Sequence, residues 1–168
     1  MTDGSGDTLA LDGRAGPCGA RDAPWRPAPL LLAAEPAGLG PIACYVGAVA
    51  ARAELGEEAA YRLRLAVEEL AANAVLHGYA GRPGYLRVTG GADRRGGWIR
   101  LADAAPPFDP ATARRPPDPA VPVAERPVGG LGIHLALSAA DGYAYEYADG
   151  ENRSTVFVRR RTGEERRT

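Results

Sequence analysis

The apolar positions of this chain change period from segment to segment, and each period predicts an element. Leu30-Leu31-Leu32-Ala33 is a short apolar block suited to a first strand. Between Gly38 and Gly56, the residues Ile42, Val46, Val49 and Ala53 recur at helical spacing and predict a first helix that Gly56 ends. A second helix, about Glu57 to His77, carries Leu63, Val67, Leu70 and Ala74 as its apolar stripe and stops at Gly78. Tyr85 to Thr89 alternates as a strand, Gly90 to Gly97 reads as a turn, and Trp98 to Leu101 returns as a strand ending at Asp103.

The pattern then breaks. Pro106, Pro107, Pro110, Pro116, Pro117, Pro119, Pro122 and Pro127 exclude regular structure up to Gly130, and so long a connection is either functional or disordered. Leu131 to Ala140 predicts a third helix entered from Gly129-Gly130. Tyr143 to Tyr147 and Thr155 to Arg159 predict two closing strands around a turn at Asp149-Gly150. The expected fold is α/β, an α+β sandwich whose mixed, mainly antiparallel sheet is covered by helices on one face and crossed by one long lid. Residues 1–27, without apolar period, are expected to be a disordered tail, 28–160 the folded domain, and 161–168 a flexible end.

Composition narrows the chemistry. At 168 residues and 45% hydrophobic, the chain suits one domain with a sizeable core. A net charge of −1 gives no basic footprint for nucleic acid. All 20 basic residues are arginine, which excludes a Walker A loop, a Schiff-base lysine and a lysine general base. No apolar run is long enough for a membrane span and the polar start does not read as a signal peptide, so a cytoplasmic protein is expected. Cys18 and Cys44 have no CxxC spacing and predict neither a metal site nor a disulfide framework.

Three constellations carry candidate chemistry. Glu69, Asn73 and His77 follow one another at intervals of four on the second helix. At about 100° per residue, such a step turns only about 40°, so the carboxylate and carboxamide project side by side. A Glu that accepts a proton beside an Asn oxygen that holds a hard cation suits phosphoryl transfer from a metal-nucleotide. Asp103, where a strand leaves the sheet, could read an adenine amino group, and otherwise it simply starts a turn. Val128-Gly129-Gly130-Leu131-Gly132-Ile133 places glycines before a helix, as a phosphate cradle requires and as many tight turns also show. Glu68 points about 100° from Glu69 and reads as a surface acid. His77 reads equally as a phosphate contact or as a helix-end histidine, and His134 as structural or lining the lid. Thr155 either supports Asp103 or only builds its strand.

Taken together, Glu69-x-x-x-Asn73, Asp103-x-x-x-Pro107-Phe108-Asp109-Pro110 and Gly129-Gly130-Leu131-Gly132-Ile133 resemble the three nucleotide boxes of the GHKL (Bergerat-fold, histidine-kinase-like) ATPase superfamily, in order, over about Leu30 to Arg160. Within it the chain is similar to the small anti-sigma-factor serine/threonine kinases. The resemblance implies Glu69 as general base, Asn73 as Mg²⁺ ligand, and ATP as substrate. It implies adenine recognition by Asp103 helped by Thr155, and nucleotide contacts from Ala105, Phe108, Gly129, Gly130, Leu131, Gly132 and Ile133. The implied acceptor is a serine or threonine of a STAS-fold anti-anti-sigma protein, the second partner is a sigma factor, and a homodimer is a further option.

Two departures stand out. The second box normally reads Asp-x-Gly, and here Ala105 adds a methyl where the backbone approaches the base. The first helix also lacks arginine before Arg52, where such kinases often carry basic partner contacts. Ala105 favours an alternative, a nucleotide-binding switch that regulates a partner by binding alone. Glu69 and Asn73 favour the kinase. A sensor histidine kinase is disfavoured because no histidine precedes His77.

Overall fold

Alternation on the strands and a 3.6 period on the helices leave both with one apolar face, and in the computed structural model those faces meet in a single layer. The structure describes residues 24–112 and 131–161. Strands β1 (Leu30–Ala33), β2 (Tyr85–Asp93), β3 (Gly96–Asp103), β4 (Gly142–Ala148) and β5 (Glu151–Arg159) form one sheet in the order β1-β2-β3-β5-β4. Every pairing among them is antiparallel, so the mainly antiparallel sheet expected contains no parallel pair among the described residues. Helices α1 (Leu39–Arg52), α2 (Glu57–Asn73) and α3 (Leu131–Ala139) complete the fold.

The core sits between helices and sheet. Ile42, Val46 and Val49 of α1 and Leu63, Ala66, Val67 and Leu70 of α2 meet Leu86, Val88, Ile99, Leu101, Val156 and Val158 of the strands, all essentially inaccessible. Each large side chain there stabilises the fold by about 1.5–3 kcal/mol relative to exposure. Arg62 of α2 fastens α3: its Nη1 donates to the Ala139 carbonyl at 2.8 Å, the last residue of that helix, where a cation is favoured. The β4–β5 connection is the two-residue turn expected at Asp149 (φ 55°) and Gly150 (φ 78°), both left-handed as a tight hairpin demands.

Several boundaries differ from the sequence expectation: α1 ends at Arg52 rather than at Gly56, and β5 begins at Glu151 rather than at Thr155. Gly90 to Gly97 is not a turn. Strands β2 and β3 run through it, Asp93 pairs with Gly96, and the turn shrinks to Arg94-Arg95. The glycines are there for clearance. A Cβ on Gly97 would lie 3.2 Å from the Ala53 Cβ and 3.3 Å from Val49 of α1. The second helix also does not stop at Gly78. It widens after Asn73 into a π-helical turn, Ala74–Tyr79, and ends at Ala80 (φ 49°). Gly78 there answers a close approach rather than a stop signal, since a Cβ on it would come 2.9 Å from the Ala105 Cβ.

The folded region also reaches past the expected limits. Trp25 exchanges two backbone hydrogen bonds of 2.9 Å with Ala92, and the Arg26 guanidinium stacks 5.4 Å from the Trp98 ring centroid. At the other end Arg160 pairs with Glu54 at 2.9 Å and Arg161 with Glu58 at 3.1 Å. Of the expected tails 1–27 and 161–168, residues 1–23 and 162–168 lie outside the described residues, as do Cys18 and lid residues 113–130. Cys44 is a free, exposed thiol.

Gly90 gives the fold its sharpest test. A Cβ there would meet the Ile99 Cδ1 at 2.7 Å, the Trp98 carbonyl at 3.0 Å and the Val49 Cγ2 at 3.1 Å. Gly90→Ala is expected to cost about 1–3 kcal/mol of stability by overpacking the α1–sheet contact. Urea unfolding measures this, and an unchanged midpoint would contradict the close approach.

Candidate functional site

Rotation of α2 about its axis decides what faces the ligand side. With Leu63, Ala66, Val67 and Leu70 committed to the core, Glu69 and Asn73 fall on the flank of the helix, half-buried. They open into a cavity of about 140 Å³ lined also by Ala72, Leu76, His77, Gly132 and Ile133. Gly132, in the first turn of α3, presses its backbone against the Glu69 carboxylate, and a Cβ there would overlap the Glu69 Oε2. His77 is exposed at the end of the π-helical turn. Glu68 points away and forms an exposed i,i+4 pair with Arg64 at 3.7 Å. The half-buried His134 has its Nδ1 enclosed without a hydrogen-bond partner among the described residues.

A second, narrow cavity of about 20 Å³ lies at the end of β3, lined by Asp103, Ala105, Phe108, Ser154 and Asn152, with Gly78 and Asn73 on its helical side. Asn73 therefore borders both cavities. Its carboxamide makes no hydrogen bond among the described residues and is free to serve a ligand. A larger surface groove of about 760 Å³ runs between α1 and α2, but neither Glu69, Asn73 nor Asp103 lines it.

Asp103 is 7% exposed and its neighbours are fixed from two directions. From the helical side, the Tyr79 hydroxyl accepts the Ala104 N–H at 2.8 Å and donates to the Tyr85 carbonyl at 2.9 Å. The Tyr79 ring lies over Gly84, where any side chain would overlap it. From the sheet side, Asn152 Nδ2 donates to Asp103 Oδ1 at 2.9 Å, and the Ala105 N–H donates to the same oxygen at 3.0 Å. Burial pushes the Asp103 carboxyl above the usual aspartate range, and the Glu151 charge adds to this. The two donated hydrogen bonds act in the opposite sense.

The Pro107-Phe108-Asp109-Pro110 segment is anchored beside this pocket. Asp109 Oδ1 accepts the Ala111 N–H at 2.9 Å and the Tyr143 hydroxyl at 3.3 Å. Burial raises the Tyr143 pKa, so the phenol keeps its proton for Asp109, and the Ser154 hydroxyl, 3.2 Å away, donates to the phenol oxygen.

Of the residues expected to bind nucleotide, the structure brings Asn73, Asp103, Ala105 and Phe108 to one cavity and Glu69, Asn73, Gly132 and Ile133 to the other. Leu131 opens α3, and Gly129 and Gly130 lie outside the described residues. Thr155 is a correction. It sits on the outer face of the sheet, where its Oγ1 accepts from Arg100 Nε at 3.0 Å, and the support for Asp103 comes from Asn152, with Ser154 lining the pocket. The signal was present in the sequence: Val156 and Val158 are the apolar side of β5, and the period of two carries Ser154 and Asn152 with them, leaving Thr155 opposite.

No curated protein matches the chain. Residues 32–159, however, match the histidine kinase-like ATPase domain. The chain belongs to that family. ATP binding follows from membership of a histidine kinase-like ATPase domain family. Among the described residues no three His, Cys, Asp or Glu side chains come together as a metal cage. The Asn73 carboxamide, unpartnered among the described residues, fits the hard cation that usually accompanies ATP, and Asn73 would be the residue to hold it. Nor is any helix of the described residues long and apolar enough to cross a membrane.

The elevated Asp103 pKa has a consequence for this domain. The ionised carboxylate is the stronger acceptor for an amino group, since a proton turns the remaining oxygen into a donor, and protonation sets in at a higher pH than for an ordinary aspartate. ATP affinity is thus expected to be full above the raised pKa and to fall with acidification through it, at a higher pH than an ordinary aspartate would give. Calorimetric titrations across pH check this, and Asp103→Asn should remove the acid limb.

Proposed function

We propose that the protein is a Mg-ATP-dependent serine/threonine kinase that acts on a STAS-fold anti-anti-sigma protein and holds a sigma factor when that protein is phosphorylated and released. The observation that supports this best is the sharing of Asn73 between the Asp103 pocket and the Glu69 cavity. A nucleotide whose base lies at Asp103 extends along α2 toward Glu69, the carboxylate suited to accept the proton of an attacking hydroxyl. Mg²⁺, when bound, would offset the charge of the phosphates. The residues themselves supply the rest. Asn73 contributes an oxygen to the metal, Glu69 orients and deprotonates the acceptor, and the first turn of α3 brings backbone N–H groups toward the phosphates. Membership of the family supports nucleotide chemistry, and the choice of acceptor and of sigma factor rests on the box resemblance.

Transfer of label from γ-labelled ATP to a candidate STAS protein, with Mg²⁺, tests the kinase. Glu69→Ala is expected to slow transfer by about 10²–10⁴-fold, the usual contribution of a positioned base, while ATP affinity changes little. Transfer at the wild-type rate by this variant, or no label on a STAS protein that binds, would sink the proposal.

A second reading is favoured by one feature. The Ala105 methyl faces Gly78 across a cavity of only about 20 Å³, so the base must open the pocket to enter. A protein of this kind could act as a switch that regulates its partner by binding alone. Ala105→Gly is expected to tighten ATP binding about threefold to tenfold, equivalent to about 1 kcal/mol. Equilibrium titration measures it, and unchanged affinity would show that the methyl does not limit entry.

A further inference from the structure

Asn152 is 5% exposed, and every hydrogen-bonding position of its carboxamide is used. Its Oδ1 accepts the Phe108 N–H at 3.1 Å and the Tyr145 hydroxyl at 2.7 Å. Its Nδ2 faces Asp103 Oδ1 at 2.9 Å, the Ala105 carbonyl at 3.0 Å and the Pro106 carbonyl at 3.3 Å. The orientation of this amide is not a free choice. A backbone N–H can only donate and a backbone carbonyl can only accept, so Phe108 requires the oxygen on its side and Ala105 and Pro106 require the nitrogen on theirs. Tyr145 must then donate, and Asp103 must receive.

The consequence falls on Asp103. Oδ1 already takes two donors, Asn152 Nδ2 and the Ala105 N–H, which fill its lone pairs. Oδ2 has no partner among the described residues and is the acceptor left for whatever enters the cavity that Asp103 lines. A ligand that presents an N–H there gains a bond to a buried carboxylate. A ligand that presents a carbonyl meets electrostatic repulsion and leaves Oδ2 unpaired, the arrangement by which a polar site rejects an analogue most strongly.

We infer that Asn152, its amide locked by Tyr145, is the positioning residue that makes the pocket select a purine with an amino group at C6 over one with a keto group. It does so by holding Asp103 through Oδ1 and turning Oδ2 to the base. This rests on the nucleotide reading above and goes beyond it in assigning base selectivity to a pair of residues on β4 and β5. Asn152→Asp keeps the shape and replaces the donor by a second carboxylate. Tyr145→Phe keeps Asn152 and removes only the phenol proton that fixes it.

The experiment compares the affinities of ATP and inosine triphosphate for the unaltered protein, Asn152→Asp and Tyr145→Phe, with thermal unfolding of each recorded alongside. The unaltered protein is expected to prefer ATP. Asn152→Asp should reduce that preference by about tenfold to a hundredfold, the value of a hydrogen bond to a charged group. Tyr145→Phe should reduce it by a smaller factor, with inosine triphosphate affinity nearly constant in both. A merely structural role would lower the unfolding temperature and leave the ratio of the two affinities where it was, and that result overturns the inference. Should Asn152→Asp fail to fold, the half-buried Tyr145→Phe decides alone, an unchanged ratio counting against. Equal binding of both nucleotides by the unaltered protein, or binding of neither, overturns the base-pocket reading itself and the positioning role with it.

Discussion

The contact of the α2 stripe with the sheet is the interaction on which the site depends. Leu63, Ala66, Val67 and Leu70 are almost wholly buried against β3 and β5, and their packing fixes the rotation of the helix about its axis. A rotation of one residue, about 100°, would carry Glu69 away from Gly132 and bring Glu68 into its place. Small residues make the fit close: Ala66, Ala71 and Ala74 let the helix lie near the strands, so that Asn73 reaches the pocket at the end of β3. The acid and the amide thus owe their positions to apolar neighbours that take no part in chemistry.

The second constraint is clearance. Gly78, Gly84, Gly97 and Gly132 each stand where a Cβ would press on Ala105, Tyr79, Ala53 or Glu69. Three of these contacts lie at the site, which is therefore a place where backbone meets side chain with nothing to spare. Ala105 and Gly78 share one such gap between them, and a methyl on one side leaves room for none on the other. The narrowness of the cavity at the end of β3 is the direct result of that division of space.

What could be read from the sequence was whatever depends on period. The α1 and α2 stripes, the alternation of β2, β3 and β5, and the Asp149-Gly150 hairpin follow from residue spacing alone, and the order of the three nucleotide boxes places Glu69, Asn73 and Asp103. What was less legible depends on neighbours distant in the chain. The Gly90 to Gly97 segment looks like a turn because glycine is common in turns, but here it answers the approach of α1, some forty positions earlier. Gly78 looks like a helix stop for the same local reason, whereas its partner is Ala105. Thr155 is chosen over Asn152 when a hydroxyl is sought and the parity of the strand is left aside. Trp25 and Arg26 join the sheet through Ala92 and Trp98, contacts that no local pattern near them announces.

Asn152 joins parts that the topology keeps apart. It lies on β5, but its partners are Tyr145 on β4, Asp103 at the end of β3, and Ala105, Pro106 and Phe108 in the segment that leaves the sheet. Such a fully used amide in a low-dielectric surrounding gains from each bond and loses heavily if one is broken. Asp103 and the root of the proline-rich connection therefore share an anchor. A displacement of Phe108 or Pro106 large enough to break its bond to Asn152 would leave a buried donor or acceptor unpaired, and the amide that aims Asp103 would have to turn to recover it. The orientation of the Asp103 carboxylate and the position of the first residues of the proline-rich connection are in this way one property, set by a single side chain.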